Sequence, residues 1–116
     1  MTRFTQFKNH VLASVERRLQ EGWYLRPGCT IDNRGSCCLV GALALEDESI
    51  ATAENPLEAF HGYDYDGRNK LAAKLNISYR KLQAIEAGFE GWPTCDSDTE
   101  LYKFGAFIRT HYVETK

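Results

Sequence analysis

The run Cys37-Cys38-Leu39-Val40-Gly41-Ala42-Leu43-Ala44-Leu45 constrains this chain most, because it is apolar around its whole circumference. A helix without a polar face must be covered on every side, so the remaining elements have to wrap it. Gly41, Ala42 and Ala44 are small, and a neighbouring helix is expected to approach closely there. Ser36 reads as an N-cap whose hydroxyl accepts from a first-turn amide. That places a central helix at 37–45. Glu46-Asp47-Glu48 opposes the helix dipole and stops or bends the helix.

The covers are legible as amphipathic stripes. Phe4, Phe7, Val11, Val15 and Leu19 recur at three- and four-residue steps and predict a first helix ended by Gly22. Leu71, Ala72 and Leu75 mark a second, with Asn76 suited to the left-handed residue at its end. Ser78 caps a third, which carries Leu82, Ile85 and Phe89 inward and is ended by Gly88, Gly91 and Pro93. A last helix starts at Ser97, with Glu100 completing a capping box, and presents Leu101, Phe104, Ile108 and Tyr112. Pro56 suits the first position of a short helix over 56–60. Trp23-Tyr24-Leu25 and Cys29-Thr30-Ile31 are short β-compatible pieces among turn residues, so a small hairpin near 23–35 fits. The expectation is a single domain over 1–116, mainly α, with four to six helices and that hairpin.

Asp64-Tyr65-Asp66-Gly67-Arg68-Asn69 reads as a polar loop. A calcium loop with Gly67 at its sixth place would put Gly62 first and Ala73 twelfth, where a bidentate Glu is required, so calcium is not expected. The four cysteines, Cys29, Cys37, Cys38 and Cys95, lack the paired spacing of a zinc site, and no metal or cofactor is expected. No apolar run approaches the ~20 residues of a membrane span, and Met1 to Phe7 lacks a secretory apolar core. A cytoplasmic protein that does not enter the membrane is expected.

Three constellations could carry function. Cys37 and Cys38 would lie in the first turn of the central helix, where dipole and amides favour a thiolate. With His61, or with His10 or His111, as base, either thiol could be a nucleophile, against the reading that both are buried structural thiols. Residues 71–88 resemble a phage-repressor helix-turn-helix, which would aim Tyr79, Arg80, Lys81 and Gln83 at duplex DNA. Arg68, Lys70, Lys74, Arg80 and Lys81 give that region five positive charges without a negative until Glu86, which suits phosphate contacts. The chain as a whole, with 14 basic and 16 acidic residues, is not a generic polyanion binder. Glu46, Asp47, Glu48, Glu54, Glu58, Asp64 and Asp66 form an acidic block, and Glu86, Glu90, Asp96, Asp98 and Glu100 a second. Either suits a basic partner or a solvated face. Trp23 and Trp92 follow glycines in loops and are candidate partner-binding anchors.

Gly22-Trp23, Gly35-Ser36-Cys37-Cys38-Leu39-Val40-Gly41-Ala42-Leu43, Leu75-Asn76-Ile77-Ser78 and Ile85-Glu86-Ala87-Gly88-Phe89-Glu90-Gly91-Trp92 together resemble a group of small uncharacterised bacterial and phage proteins with a Gly-x-Cys-Cys-x-x-Gly-Ala core helix. The resemblance implies a compact helical domain and no assigned activity. The reading it leaves is a small cytoplasmic accessory or regulatory protein acting through contacts with an unidentified protein partner. A helix-turn-helix regulator is the first alternative and a Cys-dependent enzyme the second.

Overall fold

The computed structural model describes residues 2–28, 30–32, 34–61, 65–93 and 99–113, and only the backbone of Tyr65. The chain is mainly α with a small three-stranded sheet. Its described residues form seven helical segments.

Helix α1, Arg3–Gln20, is capped by Thr2, whose Oγ1 accepts from the Thr5 amide at 3.1 Å. Its inward stripe buries Val11, Ser14, Val15 and Arg18. The chain then enters β1 (Tyr24–Leu25), β2 (Ile31–Asp32) and β3 (Ser36–Cys37), in sheet order β1-β3-β2. The expected hairpin is present in altered form. Its antiparallel arms are β2 and β3, pairing Ile31 with Cys37 and Asp32 with Ser36. Tyr24-Leu25 instead lies parallel to β3.

This pairing corrects the predicted central helix. Ser36 is not an N-cap and Cys37 is not helical, because both are committed to the ladder: the Arg26 amide donates to the Cys37 carbonyl at 2.8 Å, and the Tyr24 amide to the Gly35 carbonyl at 2.8 Å. Left-handed Gly35, at φ 97°, closes the turn that makes the pairing possible. Helix α2 therefore runs Leu39–Ala44, with Cys38 in the extended cap position and every residue buried. Gly41 does admit a close neighbour, but it is not a helix. A Cβ there would lie 1.8 Å from the Thr30 carbonyl oxygen.

Two single turns follow, α3 (Glu48–Ala51) and α4 (Pro56–Phe60), capped by Asp47 and Asn55, with Pro at the start of α4 as expected. Helix α5 spans Tyr65–Lys74. The polar-loop reading of 64–69 is thus overturned over 65–69, while Asp64 lies outside the described residues. Gly67 is no loop signal here. It lets α5 abut the end of α4, where a Cβ would come 2.1 Å from the Phe60 carbonyl oxygen. Asn76 is left-handed at φ 58°, and Ser78 caps α6 (Tyr79–Glu90) by accepting from the Lys81 amide at 3.2 Å.

Helix α6 ends at left-handed Gly91. Gly88 does not end it. A Cβ on Gly88 would meet the Tyr102 carbonyl oxygen at 1.9 Å, and one on Gly105 the Ile85 carbonyl oxygen at 2.1 Å. This reciprocal register makes α6 and α7 (Thr99–Tyr112) an antiparallel, backbone-close pair. The predicted cap Ser97 lies outside the described residues. Val11, Val15, Leu39, Val40, Leu82, Ile85, Phe89 and Ile108 meet in one fully buried core around α2. No described helix is long and apolar enough to cross a membrane.

Candidate functional site

Two adjoining cavities form a trough along one side of this core. The first, of about 560 Å³, lies among α2–α5 and the face of α1 that carries His10. Its floor includes Leu43, Ile50, Phe60 and Leu71, and its rim includes His61, Asp47 and Lys70. The second, of about 610 Å³, lies between the N-terminal half of α1 and the turn joining α5 to α6. It is lined by Phe4, Phe7, Leu75, Ile77 and Leu101, with Arg3 and Lys81 at its edge. His10, Lys74 and Leu75 line both cavities and so join them.

The stripe of α1 explains why the trough is open there. Val11 and Val15 are fully buried, whereas Phe7 and Phe4, one and two turns before Val11 on the same stripe, are only half-buried. The apolar face is longer than the core that covers it. That was the available sequence signal: a continuous stripe can outrun its cover. At the rim, Lys74 forms an ion pair with Asp47. The Lys74 ammonium, aided by bonds from Ser49, holds the Asp47 carboxyl down at about 2.

A second polar cluster is built inside the fold. Arg68 Nη2 donates to Glu86 Oε2 at 2.8 Å, with the Glu86 side chain only 7% exposed. Arg68 also reaches Thr30 Oγ1 at 3.5 Å. The hydrogen bond with Glu86 raises the guanidinium pKa further. One turn beyond Glu86, the Glu90 carboxylate accepts from the Gly28 amide at 2.8 and 3.0 Å, and burial raises its pKa despite that bond. The cluster ties Gly28 and Thr30 to α6 and α5, respectively.

The candidate thiols and the candidate base His61 lie on different parts of the fold. Cys37 and Cys38 are 0% and 1% exposed. Burial pushes the Cys38 thiol far above its ordinary value, against the lowering effect of the Gly41 backbone bond. His61 is exposed at the end of α4 and lines the first cavity, which neither cysteine lines. Cys29 and Cys95 lie outside the described residues. Among those described, no three His, Cys, Asp or Glu side chains are grouped as a metal site.

The predicted DNA-reading residues begin α6 together, Tyr79 half-buried and Arg80, Lys81 and Gln83 exposed. The run of five positive charges is different in space from what it is in sequence. Arg68 is paired with Glu86, Lys70 with Asp66 at 3.2 Å, and Lys74 with Asp47. The two acidic blocks supply these partners. Asp64, Asp96 and Asp98 lie outside the described residues.

The two tryptophans have unlike surroundings. Trp23 is half-buried against the core and shares a small cavity with Leu19, Leu25 and Tyr112. Trp92 is 50% exposed, and its backbone carbonyl accepts from the Tyr102 hydroxyl at 2.7 Å. No family model, curated protein or solved structure matches this chain.

Proposed function

We propose that this chain is a small cytoplasmic accessory or regulatory protein that acts by binding another protein, and that the trough along α1 and the α5–α6 turn is where it binds. The observation that carries this reading is the half-buried Phe4–Phe7 face, which continues with Leu75 and Ile77 into an open apolar floor. Such a floor is the usual character of a recognition groove. Exposed Trp92 is a second anchor of the kind favoured at interfaces. An accessory role of the phage or mobile-element type is part of the same proposal and rests on the sequence pattern alone.

The test is a photoreactive phenylalanine analogue placed at Phe7, with the same group at exposed Thr110 as control, crosslinked in the native host. Discrete protein adducts at position 7, absent at 110 and lost with Ile77→Glu, are expected. Identical adduct patterns at both positions, or none at 7, would overturn the assignment.

A second reading is a helix-turn-helix DNA regulator. It is favoured by the α5–turn–α6 hairpin, with left-handed Asn76, the Ser78 cap, and Arg80, Lys81 and Gln83 exposed at the start of α6. It ranks second because three of its five cations are matched by carboxylates of the same chain. Absence of duplex binding at low salt would end it, since non-specific phosphate attraction is strongest there.

A further inference from the structure

We propose that the occupant of the second cavity is an amphipathic helix with an acidic polar face, supplied by the partner protein. This rests on the protein-contact reading above and names the partner's chemistry.

Charge points to it first. The chain as a whole is −2, yet Arg3, His10, Lys74 and Lys81 line this cavity and no carboxylate does among the described residues. Lys74 is already held by Asp47. Arg3 and Lys81, by contrast, have no carboxylate partner among the described residues, and they come from different elements, α1 and α6. Lys8 adds a further cation whose ammonium lies over the Phe4 ring, 4.8 Å from its centre. An apolar floor edged by unmatched cations is complementary to a segment that is apolar on one side and anionic on the other.

The backbone argument selects a helix. The cavity's lining comes from helices α1, α5, α6 and α7 and the Leu75–Ile77 turn, with no strand. An extended peptide would find no strand edge to pair with, and its amides and carbonyls would lie unmatched over Phe4 and Phe7. A helix satisfies those groups internally and presents anchors at i, i+3/i+4 and i+7. From Arg3 to His10, α1 offers a wall of about 10 Å, enough for two turns of such a helix.

Nucleic acid is the lesser fit, since Lys74 is already matched by Asp47 and the apolar floor of Phe4, Phe7, Leu75, Ile77 and Leu101 offers no hydrogen bond to phosphates or base edges. A second copy of the chain, presenting exposed Glu48, Glu54 and Glu58 near α3 and α4, is the other rival.

The experiment uses the full chain and a panel of labelled helical peptides of about 20 residues. The panel shares one Leu/Phe stripe in several registers and carries either Glu or Lys on the polar face. Fluorescence anisotropy at low salt is expected to show the best Glu peptide binding about tenfold tighter than its Lys counterpart, with the advantage shrinking as salt is added. Arg3→Glu with Lys81→Glu should reverse the preference, and circular dichroism should show both variants folded. The proposal is overturned by equal binding of the two peptide classes, by preference for Lys, or by tighter binding of an oligonucleotide. It is equally overturned by self-association that Glu54→Lys and Glu58→Lys abolish. If no peptide binds while the Phe7 crosslink adducts persist, the acidic helix is wrong and the protein-contact reading stands. If both are absent, both fail.

Discussion

Helix α6 is held differently at its two ends. Over its second half, Ile85, Gly88 and Phe89 meet α7 so closely that backbone touches backbone, through Gly88 against Tyr102 and Gly105 against Ile85. Over its first turn, Arg80 and Lys81 are exposed, and beside them the turn from α5 leaves Leu75 and Ile77 only half covered. The same helix thus joins a closed interface to an open trough. A dense contact tolerates almost no change in volume. An incompletely covered one tolerates substitution and keeps apolar surface available to a partner. Stability and recognition are therefore expected to separate along α6.

The largest expected effect breaks the closed end. Gly88→Leu puts a side chain where even a Cβ would lie 1.9 Å from a backbone oxygen. It should cost about 3 kcal/mol or more in urea denaturation. Gly41→Leu, facing the Thr30 carbonyl, belongs to the same class, whereas Leu43→Met roughly conserves volume and should cost under about 1.5 kcal/mol. If Gly88→Leu melts with the parent protein, the two helices are not in backbone contact.

Next is the polar tie between α5 and α6. Arg68→Met leaves the Glu86 carboxylate buried without its cation and should cost about 2–3 kcal/mol, less than a fully buried pair because the guanidinium is partly solvated. Adding Glu86→Leu should recover most of the loss. Failure of the double variant to recover in the same melts would show that the pair's value is more than charge matching.

A smaller effect sharpens the trough rim through pH. The Asp47 carboxyl is held at about 2 against an ordinary 3.8, so the folded state binds its proton less tightly than the unfolded state does. Its contribution is present above pH 3.8 and is lost as pH falls from there through about 2. Asp47→Asn should be less stable than the parent at neutral pH and converge with it over that window, read from denaturant melts across pH. Glu90 works in the opposite sense. Its raised carboxyl contributes below the ordinary carboxylate range, and that contribution fades as pH rises through the raised value.

The smallest effect is at the open end. Arg3→Ala and Lys81→Ala remove exposed cations that have no carboxylate partner among the described residues. Each should change stability by no more than about 0.5 kcal/mol, measured by thermal melts. A larger loss would place these residues in the fold rather than at a surface available for binding.

What the sequence determined by itself was local. Pro56 at a helix start, Asn76 left-handed, the Ser78 cap and Gly91 at a helix end all act within about one turn of backbone, so neighbouring residues suffice to read them. The inward stripes of α1, α6 and α7 were legible for the same reason, as was the burial of the apolar run that became α2. Whatever needed a partner from elsewhere in the chain was decided only by the tertiary structure. Ser36-Cys37 became a strand because Tyr24-Leu25 and Ile31-Asp32 were there to pair with it, outweighing a capping signal. Gly67 and Gly88 looked like breakers, since a glycine that admits a close neighbour and one that ends an element are the same letter. Arg68 and Glu86 lie on the inward faces beside Leu71 and Ile85, yet only their meeting shows that a cation apparently suited to phosphate is matched inside the protein. The trough, too, is tertiary. The Phe4–Phe7 stripe announces an apolar face, but whether such a face is buried or left open depends on how far its neighbours reach.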